Sequence, residues 1–390
     1  MNRTQVGIVG AGPAGLTLGH LLHLEGIESV ILESRSREYV ETRIRAGVLE
    51  HGVAALLDGA GVGERMRREG LVHTGVELQS GRERHRIAFD ELTGKTIVVY
   101  GQTELVKDLI EARLASGRPL HFEAQDVSLR DLDGDRPRIT FLKDGAEQEL
   151  RCDVVAGCDG FHGVSRSSVP RGALREFTRG YPYGWLGILA AVPPSSDELV
   201  YAHDERGFAL LSMRSPELSR LYLQCAPDED LSAWPDERIW RELQERLGCD
   251  GWTLHEGPIL ETGITSMRSF VVEPMQWGRL YLAGDAAHIV PPTGAKGLNL
   301  AIRDVHVLAE AIVAWYRSRR RSQLDAYSAT CLRRVWRAEH FSWWMTTMLH
   351  RRPDDDAFAL RLQQSQLRYL RMSRAAATSL AENYVGVDRA

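Results

Sequence analysis

Two short apolar stretches carry polar side chains at alternate positions. Ser212 and Arg214 lie two residues apart in the first stretch, and Arg220 and Tyr222 lie two apart in the second. Residues two apart in a strand point to the same face, so pairing of these stretches would gather two guanidinium groups and two hydroxyls on one surface. Such a surface suits a small carboxylate, which Arg binds bidentately and hydroxyls bind further. A solvent-facing polar side of a half-buried sheet would give the same periodicity.

A glycine fingerprint near the N-terminus predicts a dinucleotide site. Gly10, Gly12 and Gly15 follow an apolar strand at residues 6–9 and open a helix, and Glu33 ends the next predicted strand. In that context the glycines permit a tight turn, an approach of pyrophosphate to the backbone and close helix packing, while the acid can bind a ribose. A tightly packed turn without a ligand is the alternative. The fingerprint occurs once, so we expect one resident dinucleotide and a second that visits transiently.

The loop at residues 284–299 contains two prolines, three glycines, Asp285 and Lys296. It follows an apolar strand predicted at residues 280–283 and precedes a helix predicted at residues 300–316. The positive end of that helix points into whatever the loop holds, which favours an anionic or electron-rich ligand. An ordinary strand-loop-helix connection would have the same composition.

Three further sets of residues could be functional or merely structural, and their local sequence does not decide between the two. Asp159 starts an Asp-Gly turn after an apolar strand, with a Ser-Arg pair six residues on. Arg43 and Arg45 suit phosphate contacts, although a single Arg is usually surface charge. His73 lies among apolar residues, where a lone His is more often structural than catalytic.

The elements that must position these residues change in character along the chain. The beginning and the region near residue 280 show strand-loop-helix patterns, whereas residues 177–270 are rich in strand patterns and aromatic residues and show no βαβ rhythm. The sequence therefore predicts a mixed α/β fold, with a Rossmann-like dinucleotide-binding domain interrupted by a mostly antiparallel sheet domain. We expect the first domain at residues 1–175 and 276–345, the sheet domain at 176–275 and a C-terminal helical segment at 346–390.

Composition excludes several classes of protein. A net charge of −5 argues against a nucleic-acid binder. The five cysteines show no metal-ligand spacing, so we expect no metal site and a reducing, cytoplasmic setting. No uncharged apolar run is long enough to span a bilayer, so we expect no membrane partner.

The ordered motifs resemble the single-component FAD-dependent aromatic monooxygenases. The resemblance runs from Val6 to Gly386 and includes the glycine fingerprint, the Asp159 motif and the loop at residues 284–299. It is strongest to those members of the family that hydroxylate 4-hydroxybenzoate, through residues 43–50, 156–163 and 268–275.

The resemblance implies a role for residues throughout the chain. It assigns FAD binding to Gly10, Gly12, Gly15, Glu33, Arg43, Arg45, Gln102, Asp159, Arg220, Asp285, Lys296, Gly297, Leu298 and Asn299. It assigns the substrate carboxylate to Ser212, Arg214 and Tyr222, and the substrate phenol to Tyr201 and the backbone carbonyl of Pro292. Tyr384 and His73 would pass the phenol proton to solvent, and Arg35, Tyr39, His162 and Arg268 would contact the nicotinamide dinucleotide.

The activity that the resemblance implies is hydroxylation of 4-hydroxybenzoate to 3,4-dihydroxybenzoate. Reduced FAD would react with O₂ to form a hydroperoxide at flavin C4a, and removal of the phenol proton would make the ring electron-rich. A homodimer is also implied. The alternatives are a related monooxygenase that acts on another phenolic acid, and a flavoprotein reductase or sensor without oxygen transfer.

The segment after Glu33 bears on the choice between NADH and NADPH. Family members that prefer NADPH tend to carry Arg directly after the acid, where this chain has Ser34. Glu41 would repel a 2′-phosphate, whereas Arg35, Arg37 and Tyr39 would favour it. We expect NADH to be used at least as well as NADPH.

Overall fold

A computed structural model describes residues 2–43 and 47–387. Within these ranges the strands are β1 (Asn2–Arg3), β2 (Val6–Val9), β3 (Ser29–Leu32), β4 (Val48–Leu49), β5 (Leu71–His73), β6 (Gly75–Ser80), β7 (Glu83–Ala88), β8 (Ile97–Val99), β9 (Leu120–His121), β10 (Gln125–Arg130), β11 (Arg138–Lys143), β12 (Ala146–Arg151), β13 (Val154–Gly157), β14 (Arg175–Ala190), β15 (Val200–His203), β16 (Ala209–Ser215), β17 (Leu218–Cys225), β18 (Ile259–Glu273), β19 (Gln276–Trp277), β20 (Leu280–Leu282) and β21 (His288–Ile289).

The α-helices of the same ranges are α1 (Pro13–Leu24), α2 (Arg37–Thr42), α3 (His51–Gly59), α4 (Glu64–Glu69), α5 (Phe89–Thr93), α6 (Gln102–Ala115), α7 (Val164–Ser167), α8 (Asp236–Leu247), α9 (Gly297–Ser318), α10 (Ser322–Leu349), α11 (Ala357–Met372) and α12 (Arg374–Val385). Single 3₁₀ turns lie at Leu231–Ala233, Gly284–Ala286 and Pro292–Gly294. Among the residues described, no helix combines the length and the apolar character needed to cross a bilayer.

A six-stranded sheet in the order β19-β20-β13-β2-β3-β9 carries the predicted dinucleotide fold. All neighbours in it are parallel except β19 and β20, which pair antiparallel. Strands β2, β13 and β20 are buried along their whole length, as expected for parallel strands covered on both faces. Their carboxyl ends therefore open at one edge of the sheet.

Two glycines make the first strand-to-helix turn possible. Gly10 has φ +103°, which L side chains rarely adopt, and a Cβ on Gly15 would lie 2.0 Å from the carbonyl oxygen of Gly10. Since the two backbones are that close, α1 can begin directly above the end of β2.

An eight-stranded sheet has the order β21-β18-β14-β17-β16-β15-β6-β7. Its neighbours are antiparallel except β15 and β6. Alternate residues point to opposite faces: Leu221 and Leu223 pack towards α8, whereas Tyr201 and Leu210 pack towards α10 and α12. The second face is thus closed by the C-terminal helices.

The mixed α/β fold predicted from the sequence is confirmed. The large sheet also takes in β6 and β7 from the N-terminal part of the chain, and α10 runs unbroken past residue 345. The limits proposed for the domains remain a prediction.

Candidate functional site

Four predicted motifs lie side by side along one edge of the parallel sheet. The loop with Asp285 follows β20, Asp159 follows β13, the glycine turn follows β2, and Glu33 follows β3. Because these strands are neighbours and parallel, their carboxyl ends form one crevice, the usual place for a dinucleotide in such a sheet.

The glycine turn has room for a ligand. A Cβ added to Gly12 would meet no atom within 4 Å, so open space lies over the N-terminus of α1. Glu33 closes the far side, where its Oε2 accepts the backbone N–H of Ala11 at 2.8 Å and its Oε1 accepts that of Arg35 at 2.9 Å. These groups fit the pyrophosphate and ribose of a dinucleotide.

Asp159 organises the middle of the crevice. Its Oδ2 accepts the backbone N–H and the hydroxyl of Ser165 at 2.9 and 3.0 Å, while Oδ1 has no partner among the described residues. Burial raises the pKa of this carboxyl. Arg166 then ties the motif to the next loop by donating to the Ala286 carbonyl at 3.1 Å. Arg166 belongs to the Ser-Arg pair of the motif, and no role was predicted for it.

The loop after β20 is held from below by a residue that sequence reasoning missed. Asp304 of α9 is fully buried, and its Oδ2 accepts the backbone N–H of Gly284 at 3.1 Å and contacts Nε2 of His288 at 2.6 Å. The neighbouring Asp285 is the exposed residue of its 3₁₀ turn. A carboxylate among Ile302, Val305 and Leu308 was the available signal, because an acid on an apolar helix face needs a buried partner.

Lys296 and Asn299 fasten the same loop to β4. Lys296 Nζ lies 2.6 Å from Glu50 Oε1 and donates to the Tyr384 carbonyl at 2.9 Å. Burial lowers the pKa of this ammonium, and Glu50 opposes the shift. Asn299 accepts from the Glu50 backbone N–H and donates to the Val48 carbonyl, each at 2.8 Å. Glu50, which sequence reasoning left without a role, thus joins both predicted residues.

Four more of the residues assigned to FAD belong to the described part of the chain. Gly297 and Leu298 form the first turn of α9 and are half-buried. Gln102 starts α6, and the exposed Arg43 follows α2, where its carbonyl accepts the Thr103 hydroxyl at 3.0 Å. Arg45 lies outside the described residues.

The polar wall predicted from two strands is formed by β16 and β17. They pair antiparallel with Ser212 opposite Arg220 and Leu210 opposite Tyr222. A register shift between Met213 and Ser215 re-aims Arg214, whose Nη2 donates to the Tyr222 hydroxyl at 3.4 Å.

Arg214 is a buried cation that has no counter-charge among the described residues. Nη1 donates to the Met213 carbonyl at 3.0 Å, and Nε has no partner among the described residues. Burial lowers the pKa of the guanidinium. A buried cation in this position suits an anionic ligand. The hydroxyl hydrogen of Ser212 is used within the sheet, because it is donated to the Arg220 carbonyl at 2.7 Å.

Arg220 stands beside this wall. Its guanidinium carbon lies 5.4 Å from the centre of the Tyr222 ring, and Nη1 is 3.9 Å from Glu261 Oε1. Nε and Nη1 make no hydrogen bond within the described part of the chain. The side chain is therefore only loosely held and retains donors for a ligand.

A pair of tyrosines lies across the same face from Tyr222. Tyr201 is opposite Leu210, which is opposite Tyr222, so two strand spacings of about 5 Å each separate the two backbones. The hydroxyls of Tyr201 and Tyr384 are 2.5 Å apart, and both side chains are buried. Burial raises the pKa of each phenol. The Arg214–Tyr222 contact and Tyr201 of the tyrosine pair thus lie on neighbouring strands of the same sheet.

The relay beyond Tyr384 is not continuous. His73 is buried, but neither ring nitrogen has a hydrogen-bond partner among the described residues. Burial lowers the pKa of this imidazole, and Glu198 and Asp197 oppose the shift. Pro292 is the exposed first residue of a 3₁₀ turn whose other two residues are buried. Its carbonyl accepts the Ala295 backbone N–H at 2.9 Å and has a second lone pair for a ligand.

The four residues assigned to the nicotinamide dinucleotide form two pairs. The Arg35 guanidinium carbon lies 5.3 Å from the centre of the exposed Tyr39 ring. His162 and Arg268 are both exposed and both contact Phe161, at ring-centre and guanidinium distances of 5.0 and 4.4 Å. Phe161, which sequence reasoning did not assign, is the hub of the second pair.

Comparisons with known proteins agree with this architecture. Residues 3–342 match the family model described as FAD binding domain. The chain is 48% identical over 387 residues to p-hydroxybenzoate hydroxylase of Acinetobacter baylyi, covering 99% of this chain and 96% of the relative. It is 28% identical to 6-methylpretetramide 4-monooxygenase of Streptomyces rimosus over 354 residues, 84% of this chain and 79% of that protein.

A solved structure shows the same fold at low identity. The p-nitrophenol 4-monooxygenase of Pseudomonas putida superposes with a TM-score of 0.83 at 20% identity, covering 99% of both chains. The crevice fits FAD, since Gly12 leaves open space at a helix N-terminus and Asp159 keeps an unpaired oxygen beside it. The chain therefore belongs to the single-component FAD-dependent aromatic hydroxylases.

Proposed function

We propose that the protein hydroxylates 4-hydroxybenzoate to 3,4-dihydroxybenzoate with NAD(P)H and O₂. The observation that carries the proposal is a large sheet that holds both the buried Arg214, whose Nε has no partner among the described residues, and the Tyr201–Tyr384 pair. A ring with a carboxylate and a phenol in para positions matches that arrangement. The relative that is 48% identical is a p-hydroxybenzoate hydroxylase, which supports the same substrate.

The side chains divide the work between binding and proton transfer. Arg214 and the Tyr222 hydroxyl hold the carboxylate, which leaves the phenol directed at Tyr201. Transfer of the phenol proton through Tyr201 to Tyr384 makes the ring electron-rich at the carbon next to the oxygen. The Pro292 carbonyl stabilises the same phenol, and His73 receives the proton after a small rearrangement. FAD, when bound, supplies the oxygen chemistry.

The test is to identify the product. Purified holoenzyme with 4-hydroxybenzoate, O₂ and either NADH or NADPH should give 3,4-dihydroxybenzoate in proportion to the reductant consumed. Faster turnover with 3-hydroxybenzoate would favour the related monooxygenase. Reductant oxidation that 4-hydroxybenzoate does not accelerate would contradict the proposal and favour a reductase or a sensor.

We further propose that NADH serves at least as well as NADPH. Arg37 Nε lies 2.7 Å from Glu41 Oε1, so two opposite charges at the predicted 2′-phosphate position neutralise each other. Ser34 supplies no cation after Glu33. Comparison of kcat/KM for the two reductants decides the question, and a preference for NADPH of about tenfold, or 1.4 kcal/mol, would contradict it.

We also propose a homodimer that forms through α11. This helix exposes a stripe of Phe358, Leu362, Tyr369 and Met372, with exposed fractions of 70, 57, 60 and 77%. Their spacing of four, seven and three residues places them on one face. An apolar face of this kind is typical of a protein interface.

The setting that we propose is the cytoplasm. All five cysteines carry free thiols, and four of them are buried. Free thiols persist in a reducing compartment. Fractionation of the source cells would test this point directly.

A further inference from the structure

His350 has a protonation state and a tautomer that its two partners dictate. Its Nε2 lies 2.6 Å from the indole Nε1 of Trp185, and its Nδ1 lies 3.0 Å from the Thr346 carbonyl. An indole N–H only donates and a carbonyl only accepts, so Nε2 must be unprotonated and Nδ1 must carry the hydrogen. The imidazole is fully buried, and burial lowers its pKa to about 3. The ring is therefore a neutral acceptor for Trp185.

Several contacts fix this histidine relative to the large sheet. Gln363 of α11 donates to the His350 carbonyl at 2.7 Å, and Nδ1 of His203 on β15 donates to the Leu349 carbonyl at 3.1 Å. These bonds satisfy carbonyls at the end of α10, which have no partner within the helix. Phe208 and Tyr183 stack on the imidazole with ring centres 4.3 and 4.8 Å away.

Trp185 connects His350 to the polar wall of β16 and β17. Its ring stacks on Phe208 at 5.2 Å and contacts Tyr222 at 4.8 Å, with a tilt of 46°. The Tyr222 hydroxyl in turn accepts a hydrogen bond from Arg214. A continuous series of contacts thus runs from His350 at the end of α10 through Trp185 and Tyr222 to the buried cation of Arg214.

We infer that His350 is a positioning residue for the carboxylate end of the substrate site, where it sets the plane of the Trp185 indole against which Tyr222 packs. The inference rests on the proposed function, because it concerns the same carboxylate. His350 is not among the residues assigned to substrate or FAD, so it would be an additional determinant of specificity. Without the acceptor, the buried indole N–H would lose its partner and the indole would turn to find another.

The experiment compares His350→Phe, Trp185→Phe and the double variant in the holoenzyme. Phe keeps a stacking ring at position 350 but provides no acceptor. The dissociation constant is measured from the flavin absorbance change for 4-hydroxybenzoate and for 4-hydroxybenzamide, which lacks the negative charge. We expect His350→Phe to weaken the binding of 4-hydroxybenzoate by about tenfold, which is the cost of one unpaired buried donor. The binding of the amide should be weakened much less. The exposed His340, also on α10, provides the control His340→Phe, which should leave both affinities unchanged.

The double variant separates positioning from packing. It removes donor and acceptor together, so His350→Phe should cost less in the Trp185→Phe background than in the wild type. Equal costs in the two backgrounds, or equal losses for the acid and the amide, would overturn the inference.

A measurement on the unmodified protein guards against a variant that fails to fold. With ¹⁵N-labelled histidine, Nε2 of His350 should resonate as an unprotonated acceptor from about pH 5 to about pH 8. A protonated Nε2 would overturn the inference. If the wild type hydroxylates 4-hydroxybenzoate but the affinity of His350→Phe is unchanged, the inference fails and the proposed function stands. If the wild type neither binds nor hydroxylates this acid, the proposed function fails.

Discussion

At the scale of single residues, the polar wall contains a buried positive charge, Arg214, to which the described residues offer no negative charge. A buried guanidinium needs a counter-charge, and among the described residues Arg214 has only carbonyl and hydroxyl neighbours. The bound carboxylate would supply that charge. We therefore expect this side chain to contribute much of the affinity for the substrate.

Replacement of Arg214 by Ala should weaken the binding of 4-hydroxybenzoate about a hundredfold, or about 3 kcal/mol, because a carboxylate would be buried without its cation. Titration of the flavin absorbance measures the dissociation constant. The exposed Arg130 offers the control Arg130→Ala, which should bind the acid normally. Unchanged affinity in Arg214→Ala would contradict the assignment.

Tyr201→Phe tests the proton transfer rather than the binding. The variant keeps the aromatic packing but breaks the 2.5 Å contact with Tyr384, so the substrate should bind while its ring stays poorly activated. We expect reductant to be diverted to H₂O₂, measured as the ratio of H₂O₂ to 3,4-dihydroxybenzoate. Full coupling in this variant would argue against the relay.

At the scale of elements, the glycines of the turn between β2 and α1 have two different roles, one in folding and one in cofactor binding. Gly10 and Gly15 are required by the backbone itself, through a positive φ and a close approach to the Gly10 carbonyl. Gly12 has no such constraint, because a Cβ there meets nothing within 4 Å. Its space is therefore available for a ligand.

Gly12→Ala should leave the melting temperature of the FAD-free protein nearly unchanged and weaken FAD binding by tenfold or more, about 1.4 kcal/mol, since a methyl group would fill the approach to the pyrophosphate. Differential scanning fluorimetry and equilibrium dialysis provide the two measurements. Gly59→Ala is the matched control, because that glycine also has open space but lies on α3. Normal FAD binding by Gly12→Ala would place the cofactor elsewhere.

At the scale of the whole molecule, buried ionisable groups link stability to pH. Glu339 of α10 is buried, and burial raises the pKa of its carboxyl from 4.5 to about 7. The folded state therefore binds a proton that the unfolded state releases between those values. The stability that this group contributes is complete below pH 4.5 and is lost as the pH rises through 7.

Glu339→Gln should accordingly be compared with the wild type at pH 5 and pH 7. Because Gln resembles the protonated acid at every pH, the wild type should gain stability relative to the variant as the pH falls, by up to about 1.4 kcal/mol per pH unit. Chemical denaturation gives the free energy of unfolding. The exposed Glu382 offers the control Glu382→Gln, for which we expect no such change. A constant difference between wild type and Glu339→Gln would contradict the shift.

The apolar stripe on α11 is the surface through which we propose that the homodimer forms. Leu362→Arg places a charge in the middle of that stripe. The dissociation constant of a dimer formed there should therefore rise by at least tenfold, or about 1.4 kcal/mol. Sedimentation equilibrium measures the change, and Arg361→Gln on the neighbouring face is the control. A dimer that is equally stable in Leu362→Arg would form through another surface.

Much of the fold and part of the site follow from local patterns. The glycine fingerprint, the Asp-Gly turn and the loop after β20 were predicted from spacing, and each lies at the carboxyl end of a parallel strand. The helix predicted at residues 300–316 is α9, which starts three residues earlier and ends two residues later. The periodicity of β16 and β17 predicted the polar wall, but not the register shift that aims Arg214 at Tyr222.

The sequence by itself therefore determined the turns, the order of the motifs and the residue types on each strand face, since these depend on neighbours within a few positions. The tertiary structure decided the pairings between distant segments. Tyr201 meets Tyr384 across 183 residues, Lys296 meets Glu50 across 246, and Trp185 meets His350 across 165. These contacts arise where the C-terminal helices and the parallel-sheet loops close over the large sheet. Local periodicity does not predict these contacts, because they depend on how whole helices and strands pack together.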